Sequence, residues 1–209
     1  MRDSVRRLAG AVTIGAGLGL LLVAVLAWRG GRPVPQSFGV TRVPAPAGSP
    51  QPHPSKPAPP AVAGPPVTLT IPSQQVRARV LPVADVGGVL QVPDDPAQVG
   101  WWNASAPAGS SRGSVVIDGH VDSAVSGPGA LFRLDELRTG DRIVLGTKAG
   151  GTRSYAVTGR RVYRKAAGLP PELFDSAGPP RLVLISCGGP FDSAAGSYLD
   201  NIVVFAAPA

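Results

Sequence analysis

The chain has one cysteine, Cys187, in the stretch "LVLISCGGPFD", and two histidines, of which His120 sits in "VVIDGHVDSA". A thiolate attacks carbonyl carbon readily, and an imidazole gives and takes protons near neutral pH. A cysteine and a histidine brought together can therefore make and break an acyl bond. One cysteine excludes an internal disulfide, which leaves a thiol that is buried and inert, paired between molecules, or reactive. Residue types alone leave two readings open. In one, Cys187 and His120 are a catalytic pair; in the other, Cys187 is a small buried hydrophobe and His120 a turn residue. Their separation of 67 positions says nothing about their distance in space.

The elements that would position them are strands. "SVVID" precedes His120 and "RLVLIS" runs into Cys187, so both candidates stand where a strand gives way to a loop. Gly119 permits a sharp turn before the imidazole, and the two glycines after Cys187 leave room beside the thiol. "VTLTI", "VRARVLPV", "DRIVLG", "RSYAVTGRRVY" and "NIVVFA" are further short runs of strand character, separated by Gly, Pro, Asp and Ser. Two stretches, "DPAQVGWWN" and "GALFRLDELRTGD", are predicted as short helices. The second carries Leu131, Leu134 and Leu137 three apart, with Gly140 at its end. Many short strands with little helix predict an all-β barrel or sandwich over residues 67–209. The Trp101–Trp102 pair is expected to split, one ring to the core and one to the surface, rather than line a groove. Asp122 either orients His120 or caps a turn.

Ahead of the strands the chain changes character twice. Residues 8–28, "LAGAVTIGAGLGLLLVAVLAW", hold no charge and would span roughly 31 Å as a helix, about one hydrocarbon core. Arg2, Arg6 and Arg7 precede this run and Arg29 and Arg32 follow it. It is expected to be an uncleaved transmembrane anchor, with residues 1–7 in the cytoplasm and the remainder outside. The run is long for a signal peptide, and "AWRGGRP" is a poor cleavage site. Residues 29–66 form a proline-rich linker, expected to be disordered, which would reach about 110 Å if fully extended. His53 lies within it with no structured neighbours to act on.

The net charge of +7 and pI near 10.5 come from scattered Lys and Arg, not from a basic run interleaved with aromatics. Nucleic-acid binding is therefore not expected. Attraction to an anionic envelope surface or plain solubility accounts for the charge.

Six stretches, in order, carry a resemblance: "VGWW" (99–102), "VVIDGHVDS" (115–123), "GALFRLDELRTGDRIVL" (129–145), "SYAVTGRRVY" (154–163), "LVLISCGGPFD" (182–192) and "SYLDNIVVFA" (197–206). Together they resemble the sortases, cysteine transpeptidases of bacterial surfaces, and most closely the actinobacterial class F group. The order His before Cys differs from papain-like and NlpC/P60-like peptidases, and the "SHGC" signature of L,D-transpeptidases is absent. The resemblance implies an eight-stranded sortase-like β-barrel with one or two short helices. It implies Cys187 as the nucleophile that forms an acyl thioester with an LPxTG-like sorting signal, and His120 as the group that protonates the departing amine and deprotonates the incoming one. The acceptor would be a peptidoglycan-precursor or pilin amine; no metal or organic cofactor is implied, and the domain would act as a monomer. In one place the chain departs from the family: sortases carry an arginine on the strand after the cysteine, and here no Arg or Lys follows Arg181. Asn201, or Arg133 reaching in from elsewhere, would have to steady the substrate and the oxyanion. The missing arginine also leaves room for a weak or silent module that binds sorting signals or envelope precursors.

Overall fold

The computed structural model describes residues 35–39 and 63–209; the apolar run 8–28 lies outside them. Among the described residues no helix is long and apolar enough to cross a membrane. Nine strands form the main sheet: β1 (Phe38–Gly39), β2 (Pro66–Ile71), β3 (Val76–Val83), β4 (Val99–Trp102), β5 (Ser114–Gly119), β6 (Arg142–Thr147), β7 (Thr152–Arg164), β8 (Arg181–Asp192) and β9 (Ser197–Pro208). Their order is β1-β7-β6-β2-β3-β4-β5-β8-β9, and β7 also pairs with β9, which closes β2 to β9 into an eight-stranded barrel. Closure removes most of the exposed edges that an open sheet would present, leaving the part of β7 beyond Ala156 on its β6 side, where β1 pairs.

Strand alternation fills the two faces differently. Leu182 and Leu184 of β8, Val115 and Ile117 of β5, and Ile202 and Val204 of β9 point into the barrel with Leu69, Ile71, Ile143 and Leu145. The intervening Val183, Ile185, Val116, Val203 and Phe205 form a smaller cluster on the outer face, packed with Leu169, Leu173 and Phe174. The near-continuous apolar run "LVLI" of β8 follows from this, because both of its faces are covered.

The two helices expected from sequence do not form. "VGWW" is strand β4: Val99 and Trp101 are buried, and the strand runs parallel to β3 and antiparallel to β5. Burial on the sheet outweighs a weak local helical pattern. Leu131, Leu134 and Leu137 are all buried as their spacing suggests, but their loop completes only a 3₁₀ turn, Leu134–Glu136. The tryptophans split as expected. Trp101 enters the barrel core and donates from Nε1 to the Ala106 carbonyl, while Trp102 meets Phe174 edge to face in the outer cluster.

Against the expected linker over 29–66, the ordered unit reaches back into it. β1 lies on β7, Gly64 bridges to Ala108, and β2 starts at Pro66.

Candidate active site

β5 and β8 are parallel neighbours, paired from Ser114–Arg181 to Gly119–Ser186. Parallel strands run the same way and end at the same side of the barrel. The residue after the last pair is His120 on one strand and Cys187 on the other. This register brings together two residues that are 67 positions apart in sequence. Ser186 Oγ donates to the Gly119 carbonyl at 2.9 Å, a buried bond that fixes the two strand ends immediately before the pair.

Each side chain is held by its own surroundings. An added Cβ at Gly119 would come within 2.9 Å of Val99 and 3.1 Å of Leu131, so the glycine lets the strand end sit close against the core. The His120 carbonyl accepts from the Leu131 N–H at 3.4 Å and lies where only a glycine fits at position 129, since a Cβ there would be 2.4 Å from it. After Cys187 the pairing of β8 with β9 shifts register between Gly188 and Phe191, a bulge that bends the strand at the thiol. The glycines there make room for the protein, not for substrate. A Cβ on Gly188 would strike Ile202 at 2.5 Å. Gly189 has φ +75° and a Cβ there would strike the Asp200 carboxylate at 2.2 Å. Cys187 and His120 are both half-buried.

The pair opens into a cleft of about 430 Å³, walled on the histidine side by residues 121–124 and on the other by Lys165, Phe191 and Gly196–Tyr198. The Tyr198 hydroxyl donates to Asp122 Oδ2 at 2.5 Å, and its ring meets Phe191 edge to face at 5.1 Å. Asp122 therefore ties the loop after His120 to the hairpin after Cys187. Lys165, in the 3₁₀ turn that follows β7, donates from Nζ to Ser197 Oγ at 3.0 Å. It is the one Lys or Arg among the residues lining the cleft. A single lysine in "VYRKAAG" and a tyrosine in "GSYLDN" carry no motif, so the sequence alone does not point to them.

The other two candidates separate. Asn201 stands directly opposite Cys187 across β8 and β9, and opposite Tyr163 across β9 and β7, so its side chain leaves the sheet on the face that carries the thiol. Arg133 does not reach the pair. It lines a different, larger depression of about 750 Å³ with Phe38, Gln74 and Arg160, where Glu136 Oε2 lies 2.7 Å from its guanidinium. Its place in the 129–137 loop turns it away from the strand ends.

One buried acid lies just below the site. Asp118 is paired with Ile185, two residues before the His120–Cys187 level and so on the same outer face. It is 4% exposed and its Oδ1 has no hydrogen-bond partner. Burial pushes its pKa up to about 7, against a smaller downward pull from a backbone N–H.

A sortase-domain family model matches residues 69–209. Among solved structures the chain is similar to sortase A from Corynebacterium diphtheriae, at 19% identity and TM-score 0.52, covering 71% of this chain and 62% of that one. It is equally similar to sortase C-1 from Actinomyces oris, at 19% identity and TM-score 0.52, covering 68% of this chain and 72% of that one. Sortase C1 from Streptococcus agalactiae matches at 17% identity and TM-score 0.52, over 68% of this chain and 66% of that one. No curated protein sequence matches. The structural likenesses agree on the barrel, and the family match covers all of it from Leu69 on, Cys187 and His120 included: the chain belongs to the sortase family.

Proposed function

We propose that this protein is a membrane-anchored cysteine transpeptidase of the class F kind, which cuts an LPxTG-like sorting signal and joins the cut protein to an amine of the cell envelope. The observation that carries this reading is the convergence of the one thiol and His120 at the ends of two parallel strands, on one open cleft. Class F rests on the six ordered stretches of sequence. The anchor rests on the uncharged run 8–28.

In this reading the Cys187 thiolate attacks the carbonyl carbon of the scissile peptide bond. The tetrahedral intermediate collapses, the C–N bond breaks, and the leaving amine takes a proton from His120, leaving a thioester on Sγ. The incoming amine gives its proton to the same imidazole as it attacks the thioester carbonyl. The new amide forms and Cys187 leaves as thiolate. The substrate carbonyl needs donors as charge develops on its oxygen. Asn201, across from the thiol, supplies an amide N–H₂. Lys165, held by Ser197 at the cleft wall, supplies the positive charge that other sortases take from an arginine. Residues 121–124 wall the cleft beside His120, and an extended peptide would lie along that wall.

The test is to incubate the full chain with a library of LPxTG-like peptides and an oligoglycine or diaminopimelate-type amine, and to identify products by mass spectrometry. An amide-linked product that is lost in Cys187→Ala supports the reading. Release of free carboxylate alone, with amine in excess, would make the protein a thiol peptidase. No turnover with a normally folded protein would favour the silent binding module.

A further inference from the structure

The segment around Phe38 is held by more than two residues of strand pairing. β7 is 13 residues long. β6 covers one edge only over Thr152–Ala156, and β9 covers the other over Tyr155–Arg164. The edge beyond Ala156 would be open, and an open edge accepts a strand. β1 takes it, with Phe38 opposite Arg160 and Gly39 opposite Gly159. Side chains then read each residue from 36 to 39. Arg160 Nε donates to the Gln36 carbonyl at 2.8 Å, and Ser37 Oγ accepts from the Val162 N–H at 3.1 Å. The Arg160 guanidinium lies over the Phe38 ring at 4.8 Å. Arg161 forks, Nη1 to the Phe38 carbonyl at 2.7 Å and Nη2 to the Gly39 carbonyl at 2.8 Å. Gly39 has φ +71°, and a Cβ there would lie 2.1 Å from the Thr158 carbonyl oxygen, so only glycine fits. The receptor is also tied to the barrel, because Arg160 Nη1 donates to the carbonyls of Asp135 and Leu137.

We propose that Gln36–Gly39 is a docking peptide built into the proline-rich segment, and that the β7 edge with Arg160 and Arg161 is its receptor. The segment is then a latch, not a plain spacer. Residues 40–62 connect the latch to the barrel and add nothing to its reach. Only residues 29–35 separate the latch from the apolar run. Eight residue steps from Trp28 to Gln36 extend at most about 29 Å, against about 110 Å for the whole segment. The consequence at a membrane rests on the anchor proposed above: the docked β7 edge would be tethered to the bilayer by this short stretch rather than by the whole segment. Docking within one chain is favoured by an effective concentration on the order of millimolar, so a peptide that binds weakly when free stays docked in place.

The experiment uses the full chain in lipid nanodiscs, with spin labels at Arg29→Cys and Lys148→Cys in a Cys187→Ala background. The native latch is compared with Gly39→Val, Phe38→Ala and Arg161→Met. The latch predicts a short, narrow distance distribution that broadens and lengthens in each variant. It also predicts exchange of the Val162 amide at least ~10-fold faster, with the core amides of Ile117 and Leu184 unchanged to show that the barrel is folded. Identical distances and identical Val162 exchange in native and variant chains would overturn it. A chain that stays out of the nanodisc but keeps the Val162 difference supports the latch and overturns the anchor.

Discussion

Two depressions on this barrel differ in a way that inverts their sizes. In the larger, about 750 Å³, two of the cations are already engaged: Arg133 is paired with Glu136, and Arg160 donates to three backbone carbonyls and lies over the Phe38 ring. The smaller, about 430 Å³, holds the unpaired thiol, the imidazole and a lysine held by one hydroxyl. Chemistry needs groups that are positioned but not spent on the protein's own bonds. By that criterion the smaller depression is the candidate active cleft, while the larger one is lined by Phe38, whose ring lies under the Arg160 guanidinium.

Substitutions can break or sharpen this contrast. The largest effects belong to the cleft. Cys187→Ala should reduce peptide turnover to background, and His120→Ala should lower kcat/KM by roughly 10²–10⁴, both read by product mass spectrometry. The next effect is on stability. Asp118 keeps its proton in the folded state up to about pH 7, whereas an unfolded Asp gives it up near 3.8. The contribution of Asp118 to stability is therefore complete below pH 3.8, falls as pH rises, and levels off above about 7. The fall is at most about 4 kcal/mol. Asp118→Asn should flatten that slope and raise Tm most at pH 8, as followed by thermal melts across pH. Lys165→Met should lower kcat/KM by about 10–10²-fold, while Arg133→Met should leave it within about twofold; equal losses would erase the distinction between the two depressions. The smallest effect expected is Tyr198→Phe. It removes the bond to Asp122 across the cleft, for a loss of about 1 kcal/mol in a denaturant titration.

Strands β2 and β6 are legible in their alternation, because half-buried β-strands write their burial into every second residue, while β5 and β8, covered on both faces, are legible as short apolar runs. The ordered motifs also pointed to Cys187 and His120. Their adjacency was not legible, since it depends on a parallel pairing between β5 and β8, and no local pattern encodes which strands become neighbours. The helical reading of "VGWW" failed for a related reason: Gly100, whose added Cβ would strike the Asp118 carboxylate at 2.6 Å, is needed for a close approach that only the assembled sheet reveals. Charge type singles out Arg133, but charge type cannot show that Glu136 engages it. Lys165 is not legible in the sequence, because its place in the cleft depends on where β7 ends and on a hydroxyl 32 residues away.

The central claim is that Cys187 attacks a peptide carbonyl with His120 as its proton partner. The most direct measurement is the intact mass of the full chain, acid-quenched soon after mixing with an LPxTG-like peptide in the absence of amine. The account predicts a mass increase equal to the acyl fragment, mapped to Cys187 by digestion, removed by added amine and much slower to appear in His120→Ala. A protein whose core amides show it to be folded, but whose thiol takes up neither peptide nor an alkylating probe, would contradict it.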